Sequence, residues 1–167
     1  MAIRPVLLVP DPRLKQSCAW VERFDDSLRA MIRDLEDTRA ANPGCVGIAA
    51  CQIGELSRVA IVNTAGHRKY GSQSQGHMVL INPIITAQEG ERMGREGCLS
   101  LPDFTANVRR ALNVSVAFQD GIGQEHRIET TDFEAVVIQH EIDHLDGILF
   151  LDRVANLATD VFPRKNK

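Results

Sequence analysis

The sequence predicts an α+β fold: antiparallel β-sheets packed around a central metal-binding helix, with another helix near the N-terminus. Three observations predict it. A strongly signalled helix lies late in the chain, between Thr131 and Gly147. Strand-like runs rich in Val and Ile lie along the rest, divided by Gly, Asn and Asp turns. No repeat or linker divides the 167 residues, so residues 1–167 are expected to form a single domain with a core of its own.

Taken in order, Val6 to Val9 is a strand or turn, ended by Pro10-Asp11-Pro12 and too short for a signal-peptide core. Asp25-Asp26-Ser27 can cap the first helix, Leu28, Met31, Ile32 and Leu35 give it an apolar face, and Asn42-Pro43-Gly44 closes it. Arg58 to Asn63 and Met78 to Ile85 are strand-like. Between them Thr64 to His77 is polar and dense in Gly, Ser and Gln, which predicts an exposed loop or hairpin tip with His67 and His77 in solvent. Asn113 to Phe118 alternates as a strand, and Asp120-Gly121 turns the chain toward His126–Thr130. Thr131 and Glu134 stand at capping-box spacing at the start of the central helix. Phe133, Val136, Val137, His140 and His144 then recur on one stripe, and Gly147 offers a left-handed stop.

Composition narrows the function classes. A formal charge of −3 argues against binding nucleic acid through phosphates, and 5% aromatic residues argue against a base-stacking platform. No apolar run approaches the roughly 18–20 residues that span a membrane. The cysteines at 18, 45, 51 and 98 form no Cys-x-x-Cys pair and read as reduced thiols, which places the protein in the cytoplasm.

The chemistry lies in Gln139-His140-Glu141-Ile142-Asp143-His144. Residues four apart on a helix share a face, so the two imidazoles can grip one cation. Glu141 is rotated about 100° from His140 and can reach a water on that cation without joining the grip. The alternative is a pair of core histidines satisfied by backbone carbonyls. A catalytic site of this kind takes three protein ligands. The tail after His144 holds no His, Cys or Glu, so the third is sought upstream. Cys98 in Gly97-Cys98-Leu99-Ser100-Leu101-Pro102 is the best candidate, its alternative reading being a small buried hydrophobe. Asp143, beside His144, is read as an electrostatic or structural residue.

These residues match a family. Gln139-His140-Glu141-x-Asp143-His144-Leu145-x-Gly147 and Glu96-Gly97-Cys98-Leu99-Ser100 are complete motifs of the peptide deformylases, which the chain resembles over roughly residues 6 to 152. The family's first motif, Gly-x-Gly-x-Ala-Ala-x-Gln, is present as Cys45 to Gln52, with Cys45 in place of the first glycine. Pro10-Asp11-x-Arg13-Leu14 is similar to the family's N-terminal segment. The resemblance implies a metal-dependent hydrolase that removes the N-formyl group from the N-terminal methionine of new proteins. It implies Cys98, His140 and His144 as metal ligands and Glu141 as proton carrier. It implies the Gln52 amide and the Leu99 N–H as oxyanion donors. Val46, Gly47, Glu96, Leu99, Val136 and Val137 would border the methionine pocket, and Gly97 would let the backbone approach. Fe²⁺ is implied as the physiological metal, and a Cys-His-His site also accepts Zn²⁺, Ni²⁺ or Co²⁺. N-formylmethionyl peptides are the implied partners. The ribosome is a weak one, because Leu151 to Lys167 is a short tail and Pro163 breaks it as a helix. Thr105 stands where many bacterial members carry a basic residue. The rival readings are a small metal endopeptidase and a binding protein that keeps the scaffold.

Overall fold

The computed structural model describes residues 2–164. In chain order the elements are α1 (Asp26–Ala40), β1 (Gly47–Ala49), β2 (Val59–Val62), β3 (Met78–Glu89), β4 (Arg92–Cys98), β5 (Leu101–Arg110), β6 (Asn113–Gln119), β7 (Glu125–Thr131), α2 (Asp132–Leu145) and β8 (Val161–Pro163). The strands form two antiparallel sheets, one of order β1-β2-β3-β6-β7 and one of order β4-β5-β8.

Helix α1 starts where its signal stands. The Asp25 side chain accepts from the Leu28 N–H at 3.0 Å, and Leu28 and Leu35 pack with Ile48, Val59, Ile61 and Ile81. At its far end the Asn42 amide donates to the Thr38 carbonyl at 2.7 Å, and Gly44 takes φ +82°. Strand β3 runs on to Glu89, four residues past the expected end at Ile85, because β6 pairs with it as far as Glu89↔Asn113. That outer half is solvent-exposed and polar, so no apolar alternation marked it. The pairing breaks between Ile81 and Ile84, where Asn82 adopts φ +52° and its side chain bonds both backbone groups of Val21.

The second sheet left almost no trace in hydrophobic pattern. Strand β4 reads Arg-Met-Gly-Arg-Glu-Gly-Cys, with two glycines and three charges in seven residues, a composition strands usually avoid. Its pairing with β5 overrides that preference. The tail adds β8 to the other side of β5, with Thr105↔Phe162 and Ala106↔Val161. Pro163 is tolerated because β8 is an edge strand.

Helix α2 is buried from Glu134 to Leu145. Ala135, Ile138 and Ile142 pack against Val62, Leu80, Val114 and Val116 of the large sheet. His140 and His144 are buried, and Phe133, Val136, Val137, His140 and Glu141 form the wall of a cleft. The expected capping box does not form. Thr131 is the N-cap, but its hydroxyl donates to the Leu112 carbonyl, and Glu134 is taken by donors from elsewhere. Gly147 ends the helix at φ +75°, where a Cβ would also lie 2.7 Å from the Lys15 carbonyl oxygen. Among the described residues no helix is long and apolar enough to cross a membrane.

Candidate metal centre

A cleft of about 360 Å³ runs between the edge strands β1 and β4, with one face of α2 as its wall. Three loops or strands and one helix deliver the side chains. Residues 43–47 lead into β1, the 3-10 turn Ala50–Ile53 carries Gln52, the end of β4 carries Glu96 to Cys98, and α2 carries the histidines.

Cys98, His140 and His144 converge with their ligating atoms all within 4.8 Å of one another, and all three are buried. The Cys98 sulfur is 3.3 Å from His144 Nε2, and the two imidazoles meet edge to face with centroids 5.0 Å apart. His140 Nδ1 bonds Glu96 Oε1 at 2.8 Å, which leaves Nε2 for the centre of the group. Glu96 is gripped in turn by Arg110, at 2.8 and 2.9 Å. Arg110 also reaches Asp143 at 2.5 Å, and Arg153 bonds the same carboxylate at 2.7 and 2.8 Å. Asp143 is therefore not a ligand in this geometry but the bridge between two guanidiniums.

Electrostatics favour positive charge at this point. Burial alone would push the Cys98 thiol up, yet the charge of His144 and hydrogen bonds from both histidines hold it well below the usual thiol range. Burial opposes charge on His140, but the Cys98 sulfur and the Glu96 carboxylate raise it well above the ordinary imidazole value. Glu96 is penalised by burial, and its bonds to Arg110 and His140 still bring it down to about 2. A thiolate and an ionised carboxylate around two imidazoles make a pocket in which a cation is welcome.

Glu141 lies off the ligand group, fully inside the protein. Burial raises its pKa, the two histidines oppose that rise, and Cys98 and Glu96 reinforce it. Its Oε1, and Nδ1 of His144, have no hydrogen-bond partner among the described residues. Buried polar atoms without partners are costly, so Glu141 Oε1 marks a place for a donor that the protein itself does not supply. Gly47 passes directly over this carboxylate. A Cβ there would meet Glu141 Oε2 at 2.7 Å and Val137 Cγ1 at 2.9 Å, which no larger residue could accept without displacing the acid.

Gln52 is buried, its Oε1 accepting from the Ala49 N–H at 3.0 Å, its amide nitrogen 3.0 Å from Ser100 Oγ and 3.5 Å from the Cys98 sulfur. Leu99, Val46, Gly97, Val136 and Val137 line the same cleft. Glu96 belongs to the wall too, with both carboxylate oxygens committed to Arg110 and His140. Cys45 also lines it, its thiol donating to the Gly47 carbonyl at 3.2 Å.

His67 is not a solvent-exposed loop residue. It is half-buried, lines the cleft, and packs on Phe133 at 4.4 Å and Tyr70 at 5.2 Å. The loop folds back because Glu134 Oε2 accepts from Thr64, Ser74 and the Gln75 N–H, while Oε1 takes Thr130. His77 is exposed, as expected. Sequence reasoning also missed Arg110, Arg92, Arg95 and Arg164. Their placement depends on the small sheet, which hydrophobic periodicity does not reveal.

The polypeptide deformylase family model matches residues 3–160. A peptide deformylase of Heliobacterium modesticaldum is 46% identical over 156 residues, covering 93% of this chain and 97% of that protein. A crystal structure of a peptide deformylase from Legionella pneumophila superposes with a TM-score of 0.85 at 39% identity, over 93% of this chain and 88% of that one. The Met-Ala-Ser-bound structure of a class I type b peptide deformylase from Acinetobacter baumannii gives a TM-score of 0.85 at 32% identity, over 92% and 99% of the two chains.

Proposed function

The chain belongs to the polypeptide deformylase family, and from that premise we propose how its own residues carry the reaction. It is a metal-dependent hydrolase that removes the N-formyl group from the N-terminal methionine of newly synthesised proteins. Cys98, His140 and His144 would hold one metal ion. The observation that carries this is the convergence of those three buried ligand atoms within 4.8 Å, beside a carboxylate that is not one of them. A divalent cation there would supply a water whose pKa is lowered toward about 7, and positive charge beside the formyl oxygen.

The protein's residues do the rest. Glu141 takes the proton of the attacking water on its unpartnered oxygen and passes it to the leaving amine, a role suited to a carboxylate whose pKa burial has raised. The Gln52 amide and the Leu99 N–H donate to the oxyanion as the formyl carbon becomes tetrahedral. Glu96 fixes the tautomer of His140, and Arg110 and Asp143 fix Glu96. The methionine side chain lies against Val136 and Val137. Val46, Gly47, Glu96 and Gly97 flank an extended peptide that adds to the free edge of β1. A formyl carbon bears only hydrogen, so a site this close to Gly47 admits it and excludes acetyl.

Residues 1–167 act as one catalytic domain in the cytoplasm, where formylated chains emerge. Fe²⁺ is the physiological ion in this reading, with Zn²⁺, Ni²⁺ or Co²⁺ able to replace it. Residues Val161–Pro163 pair with β5 as strand β8. The test is an anaerobic preparation assayed for metal and for formate release from formyl-Met-Ala-Ser. One divalent ion per chain with formate release is expected. Cleavage of an internal peptide bond without formate would make the protein an endopeptidase instead.

A further inference from the structure

We infer that Arg164 selects substrates by charge, favouring formylated chains with an acidic side chain in the first two positions after methionine. This rests on the reading of the cleft as the peptide site. Three guanidiniums line that cleft, from Arg92, Arg95 and Arg164. Two are engaged. Arg92 pairs with Asp132 at 3.2 Å. Arg95 bonds Asn107 and Thr105 at 3.3 Å each and lies over the Phe162 ring at 3.8 Å. Arg164 is exposed at the rim, and among the described residues neither a carboxylate nor any hydrogen-bond acceptor meets its guanidinium.

Its position is built rather than incidental. The pairing of β8 with β5 ends at Phe104↔Pro163, and the Arg164 N–H donates to the Asp103 carbonyl at 2.8 Å. The side chain then crosses β5 and rests over Gly97, where a Cβ would overlap its Nη2 atom. Gly97 adjoins the ligand Cys98, so the charge stands one residue along β4 from the reacting centre. The cleft's own carboxylates, Glu96 and Glu141, are buried and belong to the metal centre. The molecule as a whole carries a net charge of −3 and would not attract acidic peptides in general. The basic rim is local to the cleft, and among the described residues no carboxylate meets the Arg164 guanidinium, so an acidic substrate side chain would supply its counter-charge.

The experiment uses metal-loaded enzyme and C-terminally amidated peptides, which removes the terminal carboxylate as a source of charge. Formyl-Met-Asp-Ala and formyl-Met-Ala-Asp are compared with their Asn counterparts. The wild type should show a KM about three- to fivefold lower for the better Asp peptide, the scale of a solvent-screened ion pair, with kcat unchanged. Salt at about 1 M should erase the difference. Arg164→Gln should abolish it while leaving the Asn peptides and the melting temperature as they were, and Arg164→Lys should restore part of it. Equal weakening of Asp and Asn peptides would make Arg164 a mere strand fastening and overturn the inference. A preference that survives in Arg164→Gln would overturn it as well. Wild-type enzyme that releases formate from no peptide would instead bring down the assignment of the cleft itself.

Discussion

At the scale of single residues, the roles proposed for Cys98 and Glu141 separate holding the ion from moving the proton. Cys98 would contribute one of three ligand atoms, so Cys98→Ala should abolish tight metal binding, read by elemental analysis; full occupancy in that variant would refute the ligand set. Glu141 lies outside the group and close under Gly47. Glu141→Ala should keep the metal and lose at least about 100-fold in kcat, the usual scale of general acid–base catalysis. Near-normal turnover by a metal-loaded variant would rule out the proton role. Cys45 is a subtler case. Burial pushes its thiol up to about 11, so it is a neutral donor to the Gly47 carbonyl rather than a nucleophile. That carbonyl belongs to the edge strand a peptide would join. Cys45→Gly frees it, so KM or peptide preference should change while kcat stays within about tenfold and metal content is unaffected. Unchanged kinetics across a peptide panel with a lowered melting temperature would mean Cys45 only packs.

At the scale of elements, α1 and α2 were legible and the small sheet was not, for a physical reason. Helix periodicity survives in a single segment: Asp25 caps α1, and the i, i+4 spacing of His140 and His144 brings their rings within 5.0 Å. Strand β4 has no such internal signal, because its stability comes from pairing with β5 across the chain. Everything that sheet positions was hidden with it, including Arg110 beneath Glu96 and Arg164 over Gly97. In the connection 64–77 between the paired strands β2 and β3, the burial of His67 was hidden in a different way. The polar composition of that connection was correctly seen, but polar groups can also be buried when one acceptor satisfies several donors. Glu134, at helix-capping spacing from Thr131, is that acceptor. Glu134→Ala would strand four donors and release His67 from Phe133. A loss of about 2–4 kcal/mol in denaturant unfolding is expected, with faster hydrogen exchange across residues 64–77 and a raised KM. A variant as stable as wild type, with the loop still protected, would show that other contacts hold it.

At the scale of the whole molecule, the site is the seam between two sheets. The large sheet packs on α2 through Ala135, Ile138 and Ile142. The small sheet meets the same helix through polar links: Cys98 of β4 beside His144, Glu96 of β4 bonded to His140, and Arg110 of β5 bonded to Asp143. Removing one partner of a buried charged pair is strongly destabilising, so this seam holds only while its charges stay matched. A cation held by Cys98, His140 and His144 would strengthen the match, since those residues would then tie β4 to α2 at a buried thiol. Metal should therefore be a structural fastener as well as the source of activity. Chelation should lower the melting temperature, by the equivalent of about 2.7 kcal/mol for an ion previously held at 100 times its Kd and about 4.1 kcal/mol at 1,000 times. The loss should not be uniform. Hydrogen exchange in the metal-free protein should quicken first in β4 and β5, while β2, β3 and β6, packed on the opposite face of α2, keep their protection. Unchanged melting, or loosening spread evenly over both sheets, would mean that the ion serves chemistry alone and the seam is closed by Arg110 and its carboxylates.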